Sequence, residues 1–252
     1  MHLPLDRLDP FLDARLTQAE RNEVAQLLER RIDRRVPAAY LTQEAWLGDF
    51  RFYVDERVLI PRSYIAELMP GGLAPYVGPA EMIANALDLG TGSGCLAILL
   101  AHAYPAADVD AVDISTDALA VAQRNVADYG LAERINLIRS DLFSNLRGKS
   151  YDLIISNPPY VTSVAMDNLP AEYRHEPRLA LAGGEDGLDA VRSILEEAPR
   201  FLNPDGTLVV EVGDNRAGVE LAFPRMPFVW LETASSTESV FLLKRHDLIA
   251  TR

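Results

Sequence analysis

The chain has 252 residues, 48% of them hydrophobic, enough for one large domain with a sizeable core or for one domain with a small appendage. Its formal net charge is −13, from 24 basic and 37 acidic residues, which argues against a general DNA or RNA binder because neutralising phosphates needs a basic surface. No run approaches the roughly 18 apolar residues of a membrane span, the start Met1-His2-Leu3-Pro4-Leu5-Asp6 lacks the regions of a signal peptide, and Cys95 is the only cysteine, so a cytoplasmic protein without internal disulfides is expected.

Residues from about Leu12 to Arg35 are predicted helical. Thr17 and Glu20 make a Thr-x-x-Glu capping box, Val24, Leu27, Leu28 and Ile32 recur on one face, and Pro37 closes the run. One helix with a single apolar face is not a domain, so residues 1–45 read as an N-terminal helical segment that must dock on something. Residues 46–72 read as a β-hairpin and linker. Phe50, Phe52 and Val54 would form one strand, Val58, Leu59 and Ile60 the other, and Asp55-Glu56-Arg57 a charged tip. A short helix over Tyr64 to Met69 follows, broken by Pro70-Gly71-Gly72.

Residues 73–252 read as the main domain. Strand and helix signals alternate: strands at Ile83–Leu89, Asp108–Ile114, Ile135–Arg139, Tyr151–Ser156 and Thr207–Val212, and helices at Cys95–Ala103, Asp117–Tyr129 and Leu188–Phe201. Such alternation implies a parallel sheet with helices on both faces. Phe228–Glu232 and Val240–Lys244 have no helix between them and read as an antiparallel hairpin at the sheet edge.

Three strand ends carry cofactor signals. Asp88-Leu89-Gly90-Thr91-Gly92-Ser93-Gly94 is a glycine turn between strand and helix, where a ligand can approach the backbone. It lacks the third glycine of a dinucleotide fingerprint and the Gly-Lys of a P-loop. Asp113, followed by Ile114, ends the second strand, where a carboxylate can accept from ribose hydroxyls. Asp141 and Leu142 follow the third strand, an acceptor for an exocyclic adenine amine beside an apolar surface for the ring. Adenosine without phosphates points to S-adenosylmethionine (SAM). Metal chemistry has no support, since His2, His102, His175 and His246 lack ligand spacing, and Cys95 opens an apolar helix as packing rather than as a nucleophile.

The fourth strand ends in Asn157-Pro158-Pro159-Tyr160. Two prolines cannot continue a sheet ladder, so Asn157 is held at the carboxyl end of a buried strand, where open α/β sheets bind ligands. An NH₂ on a planar group offers two donors. Asn157 Oδ1 can accept one and the Pro158 carbonyl the other, with Tyr160 against the plane. The chemistry this suits is methylation of a planar nitrogen.

With these motifs in order, the chain resembles the HemK-like class of SAM-dependent protein-(glutamine-N5) methyltransferases. The resemblance also rests on Ile60-Pro61-Arg62, His175-Glu176-Pro177-Arg178 and Gly183-Gly184-Glu185-Asp186-Gly187-Leu188. It implies a seven-stranded Rossmann-like α/β sheet with an antiparallel terminal hairpin, preceded by a small helical segment for substrate docking. The helical segment is shorter than the family's. The implied substrate site is Arg62, Asn157, Pro158, Pro159 and Tyr160, with Asn157, Pro158 and Tyr160 catalytic. The implied SAM site is Asp88, Gly90, Thr91, Gly92, Ser93, Gly94, Asp113, Ile114, Asp141, Leu142 and Asn157. Pro61-Arg62-Ser63, with Trp46 and Glu172-Tyr173-Arg174-His175-Glu176-Pro177, resembles the PrmB-like branch acting on the third protein of the large ribosomal subunit, rather than the branch acting on peptide-chain release factors, although Tyr64 stands where the former often has proline. Adenine-N6 methylation of nucleic acid suits the same pocket but not the charge. A SAM-binding assembly chaperone without turnover is disfavoured by the intact Asn-Pro-Pro-Tyr.

Overall fold

The computed structural model describes residues 12–71 and 73–250. The expected absence of a leader at Met1–Asp6, His2 and the Gly72 part of the Pro-Gly-Gly break lie outside the described residues. Among the described residues no helix is long and apolar enough to cross a membrane.

The N-terminal part begins with α1 (Gln18–Ile32), whose capping box is formed as expected: Thr17 Oγ1 accepts from the Glu20 amide at 3.3 Å, and Glu20 accepts from the Thr17 amide at 2.7 Å. The helix stops short of Arg35, and α2 (Ala38–Thr42) follows Pro37. The apolar stripe of α1 is only partly covered: Val24 and Leu27 are half-buried, but Leu28 and Ile32 are 53% and 64% exposed. Polar contacts attach it as well. Arg31 and Arg35 pair with Glu172 at 3.1 and 2.7 Å, and the His175 ring nitrogen lies 2.8 Å from the Arg34 carbonyl oxygen.

The hairpin lies earlier in the chain than its charged residues suggest. It pairs β1 (Glu44–Leu47) with β2 (Phe50–Tyr53) through a Gly48-Asp49 turn, not through Asp55-Glu56-Arg57. Gly48 has φ +58°, the positive value a tight hairpin needs at its first central position. Asp55 instead accepts from the Arg57 amide and guanidinium at 2.6–3.1 Å and makes a separate turn. Val58–Ile60 is therefore unpaired strap rather than strand. The hairpin is fixed to the main domain by Asn125, which accepts from the Tyr53 amide at 2.8 Å and donates to the Tyr53 and Ser93 carbonyls at 3.0 and 2.8 Å. Phe52 is fully buried beside Tyr129.

After α3 (Tyr64–Leu68) and the short α4 (Ala74–Val77), the main sheet is built from β3 (Asn85–Leu89), β4 (Asp108–Asp113), β5 (Ile135–Arg139), β6 (Tyr151–Ser156), β7 (Leu202–Glu211), β8 (Val229–Leu231) and β9 (Val240–Lys244). Its seven strands run in the order β5-β4-β3-β6-β7-β9-β8. The first five are parallel, and β9 is antiparallel to both β7 and β8, which confirms the expected edge hairpin. The helices α5 (Cys95–Ala103), α6 (Thr116–Asp128) and α8 (Asp189–Glu197) match the alternation in the sequence, whereas the short helices α7 (Ser163–Asp167), α9 (Arg216–Ala222) and α10 (Arg245–Ala250) were not anticipated. Two apolar layers result. One holds α3, α5, α6 and the hairpin against the sheet, and the other holds α8, α9 and α10. The direction of strand addition reverses between β3 and β6, and that switch point is where open α/β sheets bind ligands.

Candidate active site

Two cavities open at the carboxyl ends of the strands. The narrower, of about 400 Å³, is lined by Gly90, Thr91, Gly92, Ser93, Asp113, Ile114, Asp141, Leu142, Asn157 and Pro159. The wider, of about 1090 Å³, is lined by Trp46, Tyr160, Tyr173 and Glu211, among others. Pro61, Arg62 and Ser63 line both, so the strap between hairpin and α3 is the wall they share. A third hollow, of about 1040 Å³, lies at the opposite ends of the strands. Its polar centre is closed on itself, Asp110 accepting from Lys149, Tyr151 and Asn136 at 2.6–2.9 Å.

The narrower cavity gathers the residues expected at the ends of β4, β5 and β6. Gly90, Gly92 and Gly94 all have positive φ, and the space beside Gly90 and Gly92 is open. Each Asp113 oxygen accepts one amide, from Gly92 and from Ser115, both at 2.9 Å. A carboxylate has about four lone-pair sites, so acceptor capacity remains. Burial raises the Asp113 pKa, and the amides of Ser115 and Gly92 oppose that rise. Ile114 is 44% exposed on the cavity lip. Leu142 sits at φ +44°, a conformation costly for a residue with a Cβ, and Ser140 Oγ donates to its carbonyl at 2.7 Å.

Asp88 does not face the cavity. It is 1% exposed, accepts from Thr91 Oγ1 at 2.6 Å, and so supports the glycine turn from behind. Its Oδ1 lacks a well-formed hydrogen bond, and burial pushes the carboxyl up to about 7, opposed by Thr91 and the Ala97 amide. Gly94 likewise stands behind the wall, packed on Ala122. Burial pushes the Cys95 thiol up to about 12, which leaves it inert.

Asn157 lines the narrower cavity, against the strap that both cavities share. Its Nδ2 donates to the Arg62 carbonyl at 3.2 Å. That bond orients the amide and leaves Oδ1 as the acceptor end. Pro158 is buried, Pro159 faces the narrower cavity and Tyr160 the wider. Arg62 is more constrained than a free substrate-binding cation would be. Its guanidinium donates to Glu176 at 2.9 Å and lies over the Tyr173 ring, 5.0 Å from the centroid. Glu176 also accepts from the Ile60 amide at 3.3 Å.

Residues 78–172 match the family model described as methyltransferase small domain. The chain is 58% identical over 249 residues to the ribosomal protein uL3 glutamine methyltransferase of Neisseria meningitidis serogroup A, a match covering 99% of this chain and 82% of that protein. It is 56% identical over 257 residues to the protein of the same description in Burkholderia pseudomallei, covering 99% and 84%. The chain belongs to the uL3 glutamine methyltransferase family. Among solved structures, a methyltransferase from Pyrococcus furiosus aligns with TM-score 0.57 at 18% identity, over 89% of this chain and 98% of that one. The ribosomal protein L11 methylase of Lactobacillus delbrueckii subsp. bulgaricus aligns with TM-score 0.51 at 21% identity, over 72% and 78%. These two establish the fold, a Rossmann-like methyltransferase sheet.

In this methyltransferase Glu211 and Gly213, near Tyr160, went unread in the sequence, whereas Gly187 belongs to the motif at 183–188. A Cβ on Gly213 (φ +56°) would come within 2.6 Å of the Tyr160 ring, and one on Gly187 within 2.4 Å of the Tyr160 carbonyl oxygen. Glu211, at the end of β7, accepts from Ser63 Oγ at 2.6 Å and from the Tyr64 and Ile65 amides at 2.9 and 3.4 Å, tying the strap to the sheet. Burial pushes its carboxyl up to about 7. An acid ending an apolar strand was the available signal, the same one that singled out Asp113.

Proposed function

We propose that the chain methylates the side-chain nitrogen of a glutamine in ribosomal protein uL3, using S-adenosylmethionine, in the cytoplasm. The observation that carries this reading is Asn157 in the wall of the narrower cavity, its amide oriented at 3.2 Å by the carbonyl of Arg62, a residue that lines both cavities. Membership of the family supports the substrate, since its members carry that activity in their names.

The residues of the narrower cavity suit SAM. The open glycine turn accommodates a ligand against the backbone, Asp113 has acceptors left for ribose hydroxyls, and Asp141 is placed for an adenine amine, with Ile114 and Leu142 offering apolar surface. A volume of about 400 Å³ lies within the usual range for a small-molecule site. When bound, SAM supplies an electrophilic methyl group. The protein's part is to hold the nucleophile. Asn157 Oδ1 and the Pro158 carbonyl accept the two N–H groups of the glutamine amide, and Tyr160 packs beside its plane. Burial raises the pKa of Tyr160, with the Glu211 charge nearby adding to the shift, so it serves as a neutral phenol.

An amide nitrogen is a poor nucleophile because its lone pair is delocalised. Orientation therefore matters most and can contribute on the order of 7–11 kcal/mol. Acceptors aimed at the N–H groups also stabilise the positive charge that develops on nitrogen. Arg62 acts from behind, its carbonyl orienting Asn157 and its guanidinium holding the strap to Glu176.

Two variants test this division of labour. Asn157→Ala should reduce methyl transfer by about 10²–10³-fold, the scale of losing a preorganised group in a dry site, and leave SAM affinity within a few-fold. Asp113→Ala should weaken SAM by about 10- to 100-fold, as for lost hydrogen bonds to a charged group. Calorimetric titration and initial rates separate the two. Equal loss of binding and rate in Asn157→Ala would make it a cofactor contact and contradict its role.

A further inference from the structure

We propose that the wider cavity holds the polypeptide flanking the target glutamine, with Trp46 as its aromatic anchor and a preference for a basic segment. This rests on the function proposed above. A single amide side chain needs a small part of about 1090 Å³, and the groove continues from Tyr160 at its inner end to the β1–β2 hairpin at its outer end. Arg62 belongs to the walls of both cavities, so a side chain crossing at Asn157 leaves its own backbone in this groove.

Trp46 is 51% exposed, yet its ring is held, because Nε1 donates to Glu44 at 2.9 Å. A large aromatic ring kept rigid at a surface is the commonest kind of interface anchor. Phe50 lies behind it, packed on His102 with centroids 5.0 Å apart, and Tyr173 stands across the strap.

The groove presents the exposed carboxylates Asp49 and Glu67, and among its described lining residues the one guanidinium, Arg62, is already paired with Glu176. A protein that binds ribosomal RNA must carry basic segments to neutralise phosphates. Such segments complement both this groove and the chain's net charge of −13.

The test uses the full chain with purified uL3. Trp46→Ala should raise KM for uL3 by about ten-fold, the effect of removing an interface anchor, while the SAM dissociation constant stays within two-fold. As a second readout, photoreactive benzoylphenylalanine is placed at position 46 and, separately, at position 221. Leu221 is 83% exposed on α9, which packs on the other face of the sheet. Position 46 should crosslink to the uL3 peptide that contains or adjoins the methylated glutamine, and position 221 should not. An unchanged KM, or a crosslink at 46 that maps far from that glutamine, overturns the groove while leaving the activity intact. A wild-type enzyme that binds SAM but leaves uL3 unmodified overturns the function itself, and with it the occupant named here.

Discussion

Glu211 shows how much of this site is held by groups that never meet the reacting atoms. Its carboxyl joins the strap at Ser63 to the end of β7, with Arg62, Tyr64 and Tyr160 as its charged or titratable neighbours. Burial raises its pKa from the ordinary 4.5 to about 7. The native state therefore keeps a proton that the unfolded chain releases earlier. By linkage, stability is full below the ordinary value and falls as pH rises toward 7. Asp88 adds a slope of the same sign. Glu211→Gln should thus fold, retain an acceptor for Ser63, and lose part of the decline in urea midpoint between about pH 5 and 7. A variant with an unaltered pH profile would mean that Glu211 is ionised throughout.

At the scale of elements, the active site is a meeting of strand ends with two crossing segments. β4, β5 and β6 deliver Asp113, Asp141 and Asn157, and these were legible because each follows a clear buried run. The crossing segments were harder to read. The strap at 54–63 and the loop at 168–188 carry no periodic pattern, and their order comes from long-range pairs such as Arg62–Glu176 and from close backbone approaches. The hairpin was misplaced for a related reason. The alternation of Phe50, Phe52 and Val54 was correct, but the turn is set by Gly48, while the conspicuous charges at 55–57 satisfy one another locally. Gly213 offers the sharpest test at this scale. Gly213→Ala places a methyl 2.6 Å from the Tyr160 ring at a φ of +56°. Overpacking and the left-handed backbone each cost about 1–3 kcal/mol. The variant should lose stability on that scale and transfer methyl at least about ten-fold more slowly, with SAM affinity retained. Wild-type rates would show that Tyr160 does not depend on this contact.

For the whole molecule, alternation along the chain was enough to foretell a parallel sheet with an antiparallel edge, and the structure adds the order β5-β4-β3-β6-β7-β9-β8 that places the switch point beside Asn157. The stripe on α1 was legible as an apolar face but not as one left half open at Leu28 and Ile32, because periodicity reports which residues share a face and not what lies against it. The acidic surface and the pair of joined cavities lead to one central claim, methylation of a single glutamine in uL3. The most direct measurement is transfer from methyl-labelled SAM by the purified chain into an extract lacking this activity, with mass mapping of the labelled product. The account predicts one added methyl on one glutamine of uL3. Label on a release factor, or in nucleic acid, would contradict it.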